Sequence, residues 1–176
     1  VLGTQRGEEP GAYLYFMPLG VHVSKSSPQS WRHAGWSTPY GDFWCCQGTG
    51  VEPLPYFAKS SRERIIEKGT GERIRVHNIP AQNMQFENQF DLVRLVQVFH
   101  ELPNDQKGAI LKRCWDALRP GGKLMLVDRC APEKAADLHD RRFTMSILEQ
   151  WFEVTWGNIV NTRTEIADML EAAGFA

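Results

Sequence analysis

The chain has 176 residues, enough for one domain with a sizeable hydrophobic core. Its net charge of −1 argues against a basic nucleic-acid surface, and no signal peptide, repeat or long apolar run indicates a membrane partner. Four cysteines, two of them adjacent, make no disulfide framework in a chain of this length, so we predict a reducing, cytoplasmic location.

The composition changes at about Gly50. Residues 1–50 include eight aromatic and six charged residues, whereas residues 51–176 include eleven aromatic and thirty-five charged residues. The later part also alternates helical and strand patterns. We therefore predict a segment over 1–50 that is not an independent domain, followed by a domain over 51–176.

The first segment is aromatic and irregular. Tyr13 to Leu19 is apolar and closed by Pro18 and Gly20, which is typical of a strand, and residues 24–41 carry turn chemistry. Four motifs follow each other here. They are Gln5-Arg6-Gly7 with Glu9-Pro10-Gly11, Met17-Pro18-Leu19-Gly20, Gly35-Trp36, and Phe43-Trp44-Cys45-Cys46-Gln47-Gly48-Thr49-Gly50-Val51-Glu52.

These motifs resemble glycoside hydrolase family 127, the zinc-thiolate β-L-arabinofuranosidases built on an (α/α) barrel. The resemblance covers residues 1–52 and implies Cys45 as nucleophile and Cys46 as a zinc ligand. A zinc-bound thiolate stays deprotonated at neutral pH, which suits that role. Two adjacent cysteines cannot complete a four-ligand site, so we predict no metal. The alternative is two ordinary thiols beside an aromatic cluster.

Residues 91–128 carry a strand, a helix and a second strand. Leu92 to Phe99 is short and rich in branched apolar residues, and Leu124 to Val127 is a second apolar run. Between them apolar residues recur at helical spacing, with Asn104 as the expected N-cap and Pro120 to Gly122 as the stop. This is a βαβ unit of parallel strands.

Both strands of this unit end at the same edge of the sheet, where open α/β sheets bind ligands. His100 follows the first strand and Asp128 follows the second. Neighbouring strands lie about 4.8 Å apart, so we predict that the imidazole and the carboxylate meet above this edge. The carboxylate would fix the tautomer and raise the proton affinity of the ring. The alternative has Asp128 facing water or capping a turn, and His100 as a turn residue.

Four motifs give this region a family resemblance: Phe90-Asp91-Leu92-Val93, His100-Glu101-Leu102-Pro103, Ala117-Leu118-Arg119-Pro120-Gly121-Gly122 and Ala172-Ala173-Gly174-Phe175. They resemble class I S-adenosylmethionine-dependent methyltransferases, and among these the O-methyltransferases. The resemblance runs from about Gly50 to the end. It implies an α/β Rossmann-like sheet and methyl transfer to a small-molecule hydroxyl, with His100 as the base and Asp128 as its partner.

Two departures from that family are visible. Leu102 stands where an aromatic residue is usual, and a further acid expected just before Thr162 is replaced by Val160 and Asn161. After Asp128 the pattern predicts a helix over residues 140–152. Its apolar residues are interpreted as core or as a substrate lid: Met145, Ile147, Leu148 and Trp151.

The resemblance also implies cofactor ligands. Glu52 corresponds to the carboxylate that binds the ribose hydroxyls, the alternative being a solvated loop carboxylate. Ala81 and Gln82 lie in the loop that cups adenine, where the amide of Gln82 or Asn83 replaces the usual acid; a plain polar turn is the alternative. Gly48 to Gly50 cannot be the cofactor loop, because Glu52 follows too soon to leave room for a helix.

We therefore predict an incomplete Rossmann-like sheet lacking its first strand, Gly-rich loop, first helix and last two strands. S-adenosylmethionine should then bind weakly or not at all. The missing strand would leave Leu92 to Val98 with an unpaired edge, which Tyr13 to Leu19 or a homodimer must cover. The alternatives to a methyltransferase are an arabinofuranosidase remnant and a non-catalytic fused or truncated product.

Overall fold

A computed structural model describes residues 12–16 and 47–175. Five strands form one sheet: β1 Ala12–Phe16, β2 Gln47–Val51, β3 Ile74–His77, β4 Phe90–Val96 and β5 Leu118–Val127. The α-helices in this part are α1 Pro55–Glu67, α2 Asn104–Ala117, α3 Thr144–Glu153 and α4 Arg163–Ala173. None of these helices is both long and apolar enough to cross a membrane.

The sheet is parallel, and its strand order is β3-β2-β1-β4-β5. From the central strand β1, strands β2 and β3 extend to one side, and strands β4 and β5 extend to the other. The strand order therefore reverses beside β1. Phe16 is in register with Val51, Val51 with His77, and Val96 with Val127. The carboxyl ends therefore form one edge with a topological switch point, where sheets of this kind bind ligands.

The strand β1 pairs with β4 from Tyr13 opposite Leu92 to Tyr15 opposite Arg94. This confirms the prediction that the upstream aromatic segment covers this edge. The prediction that the first strand is missing was wrong, because β1 lies between β2 and β4 where that strand belongs. A homodimer through this edge has lost its basis as well, because β1 already makes these backbone hydrogen bonds.

The residues Gly48 to Gly50 lie inside β2 and are not a cofactor loop, as predicted. The closing residues of the glycosidase-like motif therefore form a central part of this sheet. β1 and most of β2 precede Gly50, so the sheet continues across the change in composition. Cys45 and Cys46 lie outside the described residues.

The βαβ unit is present as β4, α2 and β5, with β4 and β5 parallel. Pro103 is the N-cap of α2, so Asn104 is its first residue and not its cap. The helix ends at Ala117, before Pro120, because Leu118 already pairs with Phe90. The register shifts between Phe90 and Leu92, which accommodates the Pro-Gly-Gly turn within β5.

The main hydrophobic core lies between α2 and the sheet. The buried face of α2 packs against buried residues of β4, as the helical spacing predicted: Ile110, Leu111, Cys114 and Ala117 against Val93 and Leu95. Helix α4 packs on α2 and contributes Ile166 and Ala173 to this core. On α3 the core interpretation was wrong for Met145, Leu148 and Trp151, which are exposed, whereas Ile147 is half-buried.

Candidate functional site

The pair His100 and Asp128 lies at the carboxyl edge of the sheet. Asp128 follows β5, and His100 lies in a 3-10 turn, Phe99–Glu101, that follows β4. Asp128 Oδ1 lies 2.5 Å from His100 Nδ1, and Oδ2 accepts hydrogen bonds from the N–H groups of Phe99 and His100 at 2.6 and 3.2 Å. The predicted meeting of the two side chains is confirmed. Asp128 does not face water, since its side chain is 1% exposed.

The second ring nitrogen of His100 faces two more carboxylates. Nε2 is 3.3 Å from Glu149 Oε1 and 3.9 Å from Glu101 Oε1. Glu149 is on α3, and its Oε2 lies 2.7 Å from Nε of Arg129. Glu149 was not predicted from the sequence, because the helical pattern of this segment distinguishes only its apolar residues.

The carboxylates control the charge of His100. Burial alone lowers the pKa of His100, but the hydrogen bond and charge of Asp128, with the charges of Glu101 and Glu149, outweigh burial and raise it. Burial alone raises the pKa of Asp128, but the hydrogen bond and charge of His100 outweigh it and lower the pKa. The pair therefore favours imidazolium and carboxylate. Burial also raises the pKa of Glu101 to about 7.

Glu52 lies at the same edge, one residue beyond Val51 and hence beside the end of β1. Its side chain is buried, and Oε1 accepts a hydrogen bond from Leu54 N–H at 2.9 Å. Burial raises its pKa, and the hydrogen bond from Leu54 opposes this. The solvated-loop alternative is therefore wrong. Asn78 secures the backbone by donating to the carbonyl oxygen of Glu52 at 2.9 Å.

Ala81 and Gln82 lie in a 3-10 turn, Ala81–Asn83, that follows β3. Ala81 is buried and Gln82 is half-buried. The predicted cofactor ligands thus follow β2 and β3, on one side of β1. The His100–Asp128 pair follows β4 and β5, on the other side.

Lys107 is a buried polar group that the sequence analysis missed. Its Nζ donates to the Ile159 carbonyl and to Asn161 Oδ1, both at 2.6 Å, and lies 5.2 Å from the centre of the Phe99 ring. Burial lowers the pKa of Lys107 to about 8. Asn161, which stands where an acid was expected, therefore binds a buried lysine. Lys107 connects α2 to the segment before α4.

The described residues contain no group of three or more His, Cys, Asp or Glu side chains arranged to hold a metal ion. This bears on residues 12–16 and 47–175 only. The absence of zinc at Cys45 and Cys46 stays a prediction.

Two families match the sequence. The methyltransferase domain family matches residues 34–126, just over half of the chain. The catalytic domain of glycoside hydrolase family 127, β-L-arabinofuranosidase, matches residues 1–59. The two matches overlap between residues 34 and 59, the region that contains β2 and the start of α1.

Similar proteins support the first family. Aclacinomycin 10-hydroxylase RdmB of Streptomyces purpurascens is 32% identical over 133 residues, which cover 74% of this chain and 33% of RdmB. Mitomycin 7-O-methyltransferase MmcR has a TM-score of 0.67 at 18% identity, with 94% of this chain and 43% of MmcR covered. The O-methyltransferase NcsB1 from neocarzinostatin biosynthesis has a TM-score of 0.65 at 18% identity, with 93% of this chain and 43% of NcsB1 covered.

The chain thus spans about a third of RdmB and less than half of MmcR or NcsB1. The family match and the parallel sheet in the order β3-β2-β1-β4-β5 agree with each other. This chain belongs to the methyltransferase domain family, and its fold is the Rossmann-like fold of the class I O-methyltransferases.

Proposed function

We propose that this chain carries out, alone or within a longer protein, the transfer of a methyl group from S-adenosylmethionine to a hydroxyl group of a small molecule. The observation that carries this is the His100–Asp128 pair, 2.5 Å apart, at the carboxyl edge of a methyltransferase-type sheet. A proton acceptor is what a hydroxyl needs as it receives a methyl group. The buried carboxylate of Glu52 lies at the same edge, across β1.

The residues present fit the nucleoside half of the cofactor. Glu52 offers carboxylate oxygens at the switch point, and ribose hydroxyls donate hydrogen bonds to such oxygens. Ala81 and Gln82 follow the next strand, where an adenine would extend from the ribose, and the Gln82 amide can bond its exocyclic amine. The loop after β1 lies outside the described residues. We still expect weak binding of S-adenosylmethionine. A complete loss of binding is no longer expected, because β1 occupies the place of the first strand.

S-adenosylmethionine supplies an electrophilic methyl group when bound. His100 Nε2 accepts the hydroxyl proton, while Asp128 keeps a proton on Nδ1 and stabilises the imidazolium that forms. The N–H groups of Phe99 and His100 bind the same carboxylate, so the ring and its turn are held as one unit. Because the pKa of His100 is raised above 6.5, the neutral ring is scarce at low pH and activity should increase as the pH rises.

The test is release of S-adenosylhomocysteine from S-adenosylmethionine in the presence of hydroxyl-bearing small molecules. 1,4-Dihydroxy-2-naphthoic acid, which is bound in the NcsB1 structure, is a suitable first acceptor. We expect acceptor-dependent release, reduced at least about 100-fold by His100→Asn. Acceptor-dependent release that survives this substitution would remove His100 as the base.

A second reaction is suggested by RdmB, which is named a hydroxylase. The mass of the product distinguishes the two, because methylation and hydroxylation add different groups.

The match to β-L-arabinofuranosidase over residues 1–59 is tested separately, as zinc-dependent hydrolysis of an aryl arabinofuranoside. We expect neither hydroxylation nor hydrolysis. We also propose that the protein is cytoplasmic and that its substrates are small molecules.

A further inference from the structure

Glu149 lies on the side of the His100 ring that Asp128 leaves open. Its Oε1 is 3.3 Å from Nε2, and its Oε2 is 2.7 Å from Nε of Arg129, the residue after Asp128. The His100 side chain is only 4% exposed, whereas those of Glu149 and Arg129 are 25% and 30% exposed. Glu149 therefore forms part of the cover between Nε2 and solvent.

The carboxylates on the two sides of the ring favour its charged form. Ionised carboxylates only accept hydrogen bonds, and Nδ1 and Nε2 lie 2.5 and 3.3 Å from oxygens of Asp128 and Glu149, so a proton on each nitrogen is favoured. The imidazolium has no lone pair for an incoming proton. For Nε2 to act as a base, its proton must first leave to solvent and the acceptor hydroxyl must take the place of Glu149.

The neighbours of Glu149 on α3 support a position at the acceptor side of the site. Met145 lies four residues before it and Phe152 three residues after it on α3, and both are exposed. The carboxylate thus lies between exposed apolar side chains of α3, and it faces the buried ring. A carboxylate that served only solubility would point to water and would not bind both His100 and Arg129.

We propose that Glu149 is a positioning residue: it fixes the imidazole of His100 from the Nε2 side and holds its proton until an acceptor hydroxyl replaces the carboxylate. The inference rests on the proposed function and assigns to α3 the acid that was expected just before Thr162. The charged groups around the ring come from four elements. They are Asp128 and Arg129 after β5, Glu101 in the turn of His100, Glu149 and Glu153 on α3, and Lys107 on α2.

The test is an NMR titration of the histidine ring nitrogens in the whole chain, without cofactor or acceptor. The signal of His100 is identified by its loss in His100→Asn, and His77 and His139, both exposed, serve as internal references. Glu149→Gln is compared with Glu153→Gln on the same helix, whose carboxylate accepts a hydrogen bond from Asn158.

We expect the pKa of His100 to fall by about one unit in Glu149→Gln, the size typical of losing one nearby opposite charge. Glu153→Gln should leave it almost unchanged. If Glu149→Gln does not fold, Glu149→Asp replaces it, and its shorter side chain should also lower the pKa. An unchanged pKa, or an equal fall with Glu153→Gln, would overturn the inference. Because no methyl transfer is measured, this test and that of the proposed function can fail independently.

Discussion

Asp128 holds His100 by its backbone and by its ring at once. Oδ2 accepts a hydrogen bond from the His100 N–H at 3.2 Å, and Oδ1 lies 2.5 Å from Nδ1. The same carboxylate also accepts from the N–H groups of Phe99 and Arg129, at 2.6 and 2.7 Å. One buried side chain thus joins the end of β5 to the turn after β4, so the site and the fold depend on the same contacts.

The substitution Asp128→Asn should destabilise the fold. An amide oxygen cannot replace two charged oxygens, so buried N–H groups lose partners, and we expect a loss of about 2–4 kcal/mol in the free energy of unfolding. Urea unfolding at pH 6 measures this. The control is Asp91→Asn, which removes an exposed carboxylate facing Arg119 and should cost no more than about 1 kcal/mol. Equal effects would show that the Asp128 network contributes little.

Stability should fall as the pH rises from 5 to 8. The pKa of His100 is raised above 6.5, so its stabilising contribution is complete below 6.5 and is lost as the pH rises through the raised value. Asp128, whose pKa is lowered below 3.8, contributes fully above 3.8 and loses its contribution only in acid. The pKa of Glu101 is raised from 4.5 to about 7, so its ionisation destabilises the fold as the pH rises between these values. Unfolding free energies across this range check the sign.

The substitution Glu101→Gln isolates one part of that dependence. The amide resembles the protonated acid, so the variant should match the natural chain near pH 4. At pH 8 it should be more stable by about 1–3 kcal/mol, since it avoids an ionised, largely buried carboxylate. Urea unfolding at both pH values measures the difference. The same difference at pH 4 and pH 8 would mean that Glu101 does not titrate as described.

Lys107 should be essential to the packing of the segment before α4. In Lys107→Met the Ile159 carbonyl and Asn161 Oδ1 lose their donor, which should cost about 2–3 kcal/mol. The matched control is Lys112→Met on the same helix, which removes only an exposed pair with Asp116 and should cost about 0.5 kcal/mol or less. Thermal unfolding compares them, and a Lys107→Met variant as stable as the control would refute the role.

Gly122 permits a close backbone approach between β4 and β5. A Cβ there would lie 2.9 Å from the Arg119 carbonyl oxygen and 3.0 Å from that of Phe90, so Gly122→Ala should destabilise by about 1–3 kcal/mol. Gly108 in α2 has no such neighbour, and Gly108→Ala should stabilise by about 0.5–1 kcal/mol. Denaturant unfolding gives both signs. Two alanine variants that shift stability in the same direction would contradict this packing.

The sequence predicts the β4-α2-β5 unit and the meeting of His100 with Asp128, because both follow from local periodicity and from the geometry of parallel strands. It does not predict that β1 is the central strand of the sheet. The motifs around β1 resemble a different family, and strand pairing depends on residues far apart in the chain.

The contacts of Glu149 and Lys107 were missed for a related reason. Each contact joins segments about fifty residues apart in the chain. Helical periodicity predicts which face of a helix is apolar, but it does not predict which polar side chain contacts another element. Glu52 was singled out by the family resemblance, and in the structure it lies one residue beyond the end of β2. Its burial could not be inferred from the residues around it.

The most direct test of the account is calorimetric titration of the chain with S-adenosylhomocysteine. We predict one site with a dissociation constant between about 10 μM and 1 mM. Glu52→Gln should weaken binding about tenfold, or about 1.4 kcal/mol, whereas His100→Asn should bind like the natural chain. Circular dichroism confirms that each variant is folded. No binding by the natural chain, or equal binding by folded Glu52→Gln, would contradict a cofactor site at the carboxyl edge of this sheet.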